Sequence, residues 1–231
     1  MLHNINQNKK RILPAMFSGL VREIGHIKSF KNDILRVQCT HKAQIGDSIA
    51  INGMCLTVIE VHNDGFSLEI SKHSQSLVAL ENYQGDAHIE PALRADSRLD
   101  GHFVQGHIDC VGVIKSIIPR ENATRFSIAI PKEKIQMIIP RGSVCVDGIS
   151  LTIASIDEAN KDNDKEAIFM LSIIPHTLQN TLFCTYKVGR RVNIETDMIV
   201  RSIVHILKTR DDTQAKNACS WSELDSIALR Y

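Results

Sequence analysis

The chain contains one stretch twice. Residues 46–58 read GDSIAINGMCLTV and residues 142–153 read GSVCVDGISLTI. Setting Ser48 on Ser143 gives an offset of 95 that holds without a gap, so that Asn52 falls on Asp147, Gly53 on Gly148, Cys55 on Ser150 and Thr57 on Thr152. Upstream, FSGLVREIG at 17–25 falls on VQGHIDCVG at 104–112 with an offset of 87. Further on, Lys72-His73-Ser74 echoes Pro175-His176-Thr177, and Gly85 and Glu90 echo Gly189 and Glu195. Such self-similarity marks one structural unit used twice. The expected organisation is a disordered extension over 1–15, modules over 16–101 and 102–196, a helix over 197–210 and a tail over 211–231.

Each module reads as short strands separated by turns. Ile49 and Ile51 alternate with polar or small residues, a period of two that suits a half-buried strand. Asn52-Gly53 and Asn63-Asp64-Gly65 tolerate positive φ and predict hairpins. Frequent short strands without intervening helices predict a barrel or sandwich rather than a βαβ fold. Short helices fit 76–81 and the stretch after Pro131, 94–101 reads as a linker, and 158–166 as a charged hairpin loop. After residue 197 the pattern changes: Ile199, Val200, Ile203, Val204, Ile206 and Leu207 recur at helical spacing. Thr196 or Asp197 can cap that helix. Its apolar stripe needs cover, either a barrel or the same helix of other subunits.

Composition excludes several classes. In 231 residues the formal net charge is +1, with both signs interspersed, which argues against nucleic acid as a partner, and aromatics at 5% are too few for a base-stacking platform. No apolar run approaches the roughly 18 residues of a membrane-spanning helix. Six scattered cysteines without a C-x-x-C pair and no secretory leader predict a cytoplasmic protein with reduced thiols. Phosphate-binding loops, zinc-protease motifs and serine-hydrolase elbows are absent from the sequence. His102 and His107 lie five apart and would face different sides, a poor arrangement for a shared metal. The remaining polar candidates are the matched pairs Cys55 and Ser150, Thr57 and Thr152, and Ser74 and Thr177. Singly, such residues are commoner as turn formers; matched in both halves, they suggest two related small-molecule pockets.

Four segments, MFSGLVREIG at 16–25, GMCLTV at 53–58, GHFVQGHID at 101–109 and DGISLT at 147–152, resemble the α-chain type of riboflavin synthase, in order and spacing, from Met16 to about Leu207. The resemblance implies a mainly β protein: two tandem six-stranded Greek-key β-barrels, each binding one 6,7-dimethyl-8-ribityllumazine, plus a C-terminal α-helix through which three chains associate. It implies transfer of a four-carbon unit between two lumazines with neither cofactor nor metal, and it admits the lumazine synthase that supplies the substrate as a further partner. By position it implies catalytic importance for His107, Ser150, Cys55, Phe17 and Asp197. The implied substrate contacts of the first pocket are Gly19, Leu20, Val21, Ser48, Cys55, Leu56, Thr57, Ile70, Ser71, Lys72, His73 and Ser74. For the second they are His102, Gly106, His107, Ile108, Asp147, Ser150, Leu151, Thr152, Ile174, Pro175, His176 and Thr177, with Arg141 as a basic contact. A non-catalytic lumazine or flavin carrier on the same fold is the alternative. Such carriers need one competent pocket, and here Asp147, Ser150, Thr152 and Thr177 persist in the second half.

Overall fold

A computed structural model describes residues 15–157 and 165–217, with side chains as far as residue 210. The extension expected over 1–15 therefore lies outside the described residues except for Ala15, as do most of the charged loop near 158–166 and the last fourteen residues of the tail.

The first half forms β1 (Glu23–Lys31), β2 (Ile34–Gln38), β3 (Ser48–Ile51), β4 (Met54–His62), β5 (Gly65–Glu69), α1 (Lys72–Leu77) and β6 (Gly85–Pro91). The second forms β7 (Cys110–Pro119), β8 (Thr124–Pro131), β9 (Ser143–Val146), β10 (Ile149–Asp157), β11 (Glu166–Ile173), α2 (Pro175–Gln179) and β12 (Arg191–Thr196). Each set closes into an antiparallel barrel. The strand order is β1-β2-β5-β4-β3-β6 in one and the same order, six numbers on, in the other. The two-barrel fold read from the sequence is thus observed.

The repeat is legible in its irregularities. Register shifts between Ile27 and Ser29 and between Val58 and Glu60 recur between Ile114 and Ser116 and between Ile153 and Ser155. These bulges supply the extra twist that a short sheet needs to close. The interiors hold Leu35, Phe66 and Leu68 in one barrel and Phe126, Phe169 and Leu171 in the other, all essentially buried. Each contributes about 1.5–3 kcal/mol by leaving water.

Two helical expectations shift. The helix placed at 76–81 begins at Lys72, because the Ser71 hydroxyl accepts the Ser74 N–H and caps it, and a separate 3-10 turn covers Leu80–Asn82. The C-terminal helix α3 runs Met198–Asn217, seven residues past its expected end.

The barrels meet through their matched hairpins. Asn52 and Gly53 have φ of 47° and 83°, Asp147 and Gly148 45° and 85°, and the two turns lie back to back. A Cβ on Gly53 would stand 2.7 Å from the Gly148 nitrogen, and one on Gly148 2.9 Å from the Gly53 nitrogen, so this contact requires glycine twice. Around it lies a buried polar network. The Asp147 carboxylate accepts from Tyr186 Oη at 2.6 Å and Asn193 N at 2.7 Å. The Asn193 side chain accepts from Ala79 N and donates to the Asn52 carbonyl and Tyr83 Oη. Arg190 lies 4.2 Å from the Tyr186 ring centroid.

His88 completes this network. Its Nε2 accepts the Leu182 N–H at 2.8 Å, so the ring proton sits on Nδ1 and is donated to the Asp147 carbonyl at 2.9 Å. Burial lowers its pKa from 6.5 to about 4. A depressed histidine contributes its full stability above pH 6.5, and that contribution is lost as pH falls toward about 4. The stability difference between the wild type and His88→Phe should therefore shrink over this window in urea titrations. A difference that stays constant would refute the assignment. The comparison with the variant is needed because burial raises Asp147 to about 6, which favours the folded state on acidification and opposes the His88 trend.

Candidate functional site

Before β1 and β7, two short segments cross between the barrels. Phe17 and Val104 form an antiparallel bridge, and beyond it each segment meets a glycine that links both halves. The Gly19 N–H bonds to Glu90 of its own barrel, while its carbonyl accepts the N–H of Ser150 in the other at 2.8 Å. The Gly106 N–H bonds to Glu195 of its own barrel, while its carbonyl accepts the Cys55 N–H at 2.9 Å.

Glu90 and Glu195 are the anchors. Glu90 accepts from Ser18 N, Ser18 Oγ and Gly19 N, and Glu195 accepts from Gln105, Gly106 and His107 N. Both are almost fully buried. Burial pushes Glu195 up to about 7, while the N–H groups and the Arg201 charge pull it down. In the sequence these two residues have no role beyond marking the repeat. The available signal was a carboxylate at matched positions, next to last in each of two strands.

This crossing exchanges the pocket walls. The first barrel has a cavity of about 320 Å³ lined by Met54, Cys55, Ser74 and Val78, and its outer wall is Gly106, His107 and Ile108 from the second half. Ile108 packs on the first core and Val21 on the second. The expected grouping of Gly19, Leu20 and Val21 with the first pocket, and of Gly106 to Ile108 with the second, is therefore reversed. Matched residues align in sequence whichever barrel they serve.

Cys55 is half-buried in this cavity. Burial raises its thiol pKa, against a hydrogen bond with Ser48, so it stands as a thiol rather than a reactive thiolate. On the first barrel, Leu56 and Ile70 point into the core, Thr57 is exposed, Ser71 caps α1, Lys72 pairs with Asp33, and His73 is exposed.

On the second barrel, Ser150 occupies the place of Cys55, and its Oγ lies 2.7 Å from His102 Nδ1. Burial lowers the His102 pKa, and the Asp197 charge opposes that. Gly19 and Val21 lie on this side with half-buried Leu20 between them, Leu151 packs partly on the core, and Thr152 is exposed. Thr177 is half-buried on α2, Pro175 starts that helix, and Ile174 and His176 are exposed. Arg141 is exposed with φ of 67°, in the register of Gly46, whose φ is 93°.

Three of the expected site residues also hold structural positions. Asp147 is fully buried and spends its carboxylate between the barrels, so it cannot reach a bound substrate. Phe17 is likewise fully buried, packed with Ala50, Val104 and Cys145 at the seam between the barrels. Asp197 caps α3, its Oδ1 accepting from Ile199 N at 2.8 Å and Val200 N at 3.3 Å. Its charge also opposes the lowering of the His102 pKa by burial. Among the described residues no group of three or more His, Cys, Asp or Glu could hold a metal ion, and no helix is long and apolar enough to cross a membrane.

Comparison with known proteins gives one consistent result. The Lumazine binding domain family matches residues 18–90 and again 105–197. The riboflavin synthase of Actinobacillus pleuropneumoniae is 31% identical over 214 residues, 89% of this chain and 96% of that one. That of Bacillus amyloliquefaciens is 32% identical over 209 residues, 87% of this chain and 94% of that one. A crystal structure of LumP complexed with 6,7-dimethyl-8-(1'-D-ribityl) lumazine superposes with a TM-score of 0.64 at 23% identity, covering 78% of this chain and 98% of that one, a likeness of fold. With relatives aligned along most of its length, the chain belongs to the riboflavin synthases, and it carries two lumazine-binding repeats.

Proposed function

We propose that the chain converts two molecules of 6,7-dimethyl-8-ribityllumazine into riboflavin and 5-amino-6-ribitylamino-uracil. The observation that carries this reading is the pair of bridging glycines, each of which lays a crossing segment against a matched thiol or hydroxyl of the other barrel, Cys55 or Ser150. Donor and acceptor are the same compound, so two related pockets suit them. A cavity of about 320 Å³ is within the usual range for a small-molecule site.

In this scheme the C7 methyl of one lumazine loses a proton, its anion delocalised over the ring system, and the resulting carbon attacks the second lumazine. Four carbons then pass from donor to acceptor. The two products together hold every atom of two substrates, so no outside oxidant or reductant is consumed. The protein's share is alignment, hydrogen bonding and proton transfer. His107 gives and takes protons at the first wall, Cys55 contacts the ring there, and Ser150 with His102 holds the ring in the second. The other wall residues, Gly19 to Val21, Ser74 and Thr177, shape the two pockets.

Helix α3 leaves Ile199, Ile203, Ile206 and Leu207 more than half exposed. Two further copies of the same helix cover this stripe in the proposed homotrimer, bringing the first barrel of one chain to the second of its neighbour. The enzyme acts in the cytoplasm, with a lumazine synthase as supplier.

The test is incubation of the purified protein with the lumazine alone, following riboflavin by absorbance and fluorescence. Catalytic appearance of riboflavin is the expected result. Tight binding without turnover would place the chain among carriers instead.

A further inference from the structure

The segment carrying His107 is clamped in a way that its counterpart is not. Asp109 Oδ2 accepts from Thr196 N at 2.8 Å, Thr196 Oγ1 at 2.7 Å and Arg201 Nη1 at 2.7 Å. Arg201 Nη2 donates to Gln105 Oε1 at 2.6 Å. One guanidinium on the first turn of α3 thus grips residues 105 and 109, and His107 lies midway between them. The side chains are 25% and 13% exposed for Arg201 and Asp109, so the pair is well shielded from water.

Internal symmetry does not demand this clamp. At the offset of 87, Gln105 corresponds to Ser18 and Asp109 to Arg22, an exposed residue of the same sign as Arg201. After β6 the chain enters a loop at Ala92, where after β12 it enters α3. Barrel closure does not demand it either, since Glu195 already holds residues 105–107.

We propose that Arg201 is a positioning residue, which fixes the His107 wall of the first pocket and makes that wall depend on where helix α3 lies. The planar fork of arginine suits a two-point grip that the single charge of lysine reproduces only in part. The consequence for turnover rests on the reading of this cavity as a lumazine site; the consequence for wall geometry does not. Because α3 also carries the apolar stripe, whatever covers the helix bears on the first pocket through one side chain.

The test uses the full chain with Arg201→Leu and Arg201→Lys. Turnover gives kcat and KM, and alkylation followed peptide by peptide gives the exposure of Cys55, which Gly106 covers. Fully buried Cys145 reports global unfolding. In Arg201→Leu, kcat should fall by about tenfold to a hundredfold with KM changed less than about threefold, the size of effect that an ångström of misplacement produces. Cys55 should alkylate about tenfold faster with Cys145 unchanged, and lysine should restore most of both properties. Unchanged Cys55 alkylation in Arg201→Leu, or Cys145 rising in step with it, would overturn the proposal. A wild-type chain that makes no riboflavin would remove the functional reading, and alkylation would still decide the clamp.

Discussion

Gly106→Ala should reduce riboflavin formation by about a hundredfold or more while the chain still folds. Gly106 has φ of +77°, and a Cβ there would stand 2.5 Å from Cys55 Cβ, 2.8 Å from Cys55 N and 3.0 Å from Cys55 Cα. Two of these atoms are backbone, so no side-chain rotation relieves the contact. The left-handed backbone adds about 1–2 kcal/mol for a residue with a Cβ. The cheapest escape is for residues 105–108 to swing away from Cys55, and that movement takes His107 out of the first cavity. Gly46→Ala is the control: φ there is +93° but a Cβ meets nothing within 4 Å. It should carry the backbone strain alone and keep most of its activity. Equal losses in the two variants would show that backbone strain, not the wall of the cavity, governs turnover.

Asn193→Leu should lower the thermal midpoint by about 10 °C. The side chain is fully buried between the barrels, accepting from Ala79 N at 2.8 Å and donating to the Asn52 carbonyl at 2.9 Å. Leucine keeps the approximate volume but leaves an N–H and a carbonyl without partners, each costing about 1–3 kcal/mol. A total near 3–5 kcal/mol, at roughly 2–4 °C per kcal/mol for a chain of this size, gives that shift. Scanning calorimetry measures it directly. A drop of under about 2 °C would mean that the network orients the barrels without stabilising them.

These two sites differ in how far they can be read in advance. Asn-Gly and Asp-Gly at matched positions announce two hairpins from local chemistry alone, because positive φ at both turn residues is open to few residue types. Alternating apolar residues set the strands, and the run after Asp197 sets the helix, since each of these patterns is local. The polar network is less legible. Asp147 aligns with Asn52 and looks like a pocket residue, yet both are fully buried at the seam. A short polar side chain beside a tight turn reads the same whether it faces a ligand or a second barrel.

The sequence by itself determined the duplication, the strands and turns of each barrel and the helix that follows, because repeat spacing, alternation and turn chemistry act over a few residues. It also carried the family, through motifs that recur in order. The tertiary structure decided which barrel each crossing segment completes, placing Gly106 on Cys55 and Gly19 on Ser150. It also decided that Arg201 grips the segment bearing His107. Those choices join residues 51, 131, 96 and 92 positions apart along the chain. A repeat makes the two pairings equivalent in local pattern, so only the closed fold, with Glu90 and Glu195 fixing each segment at one end, separates them.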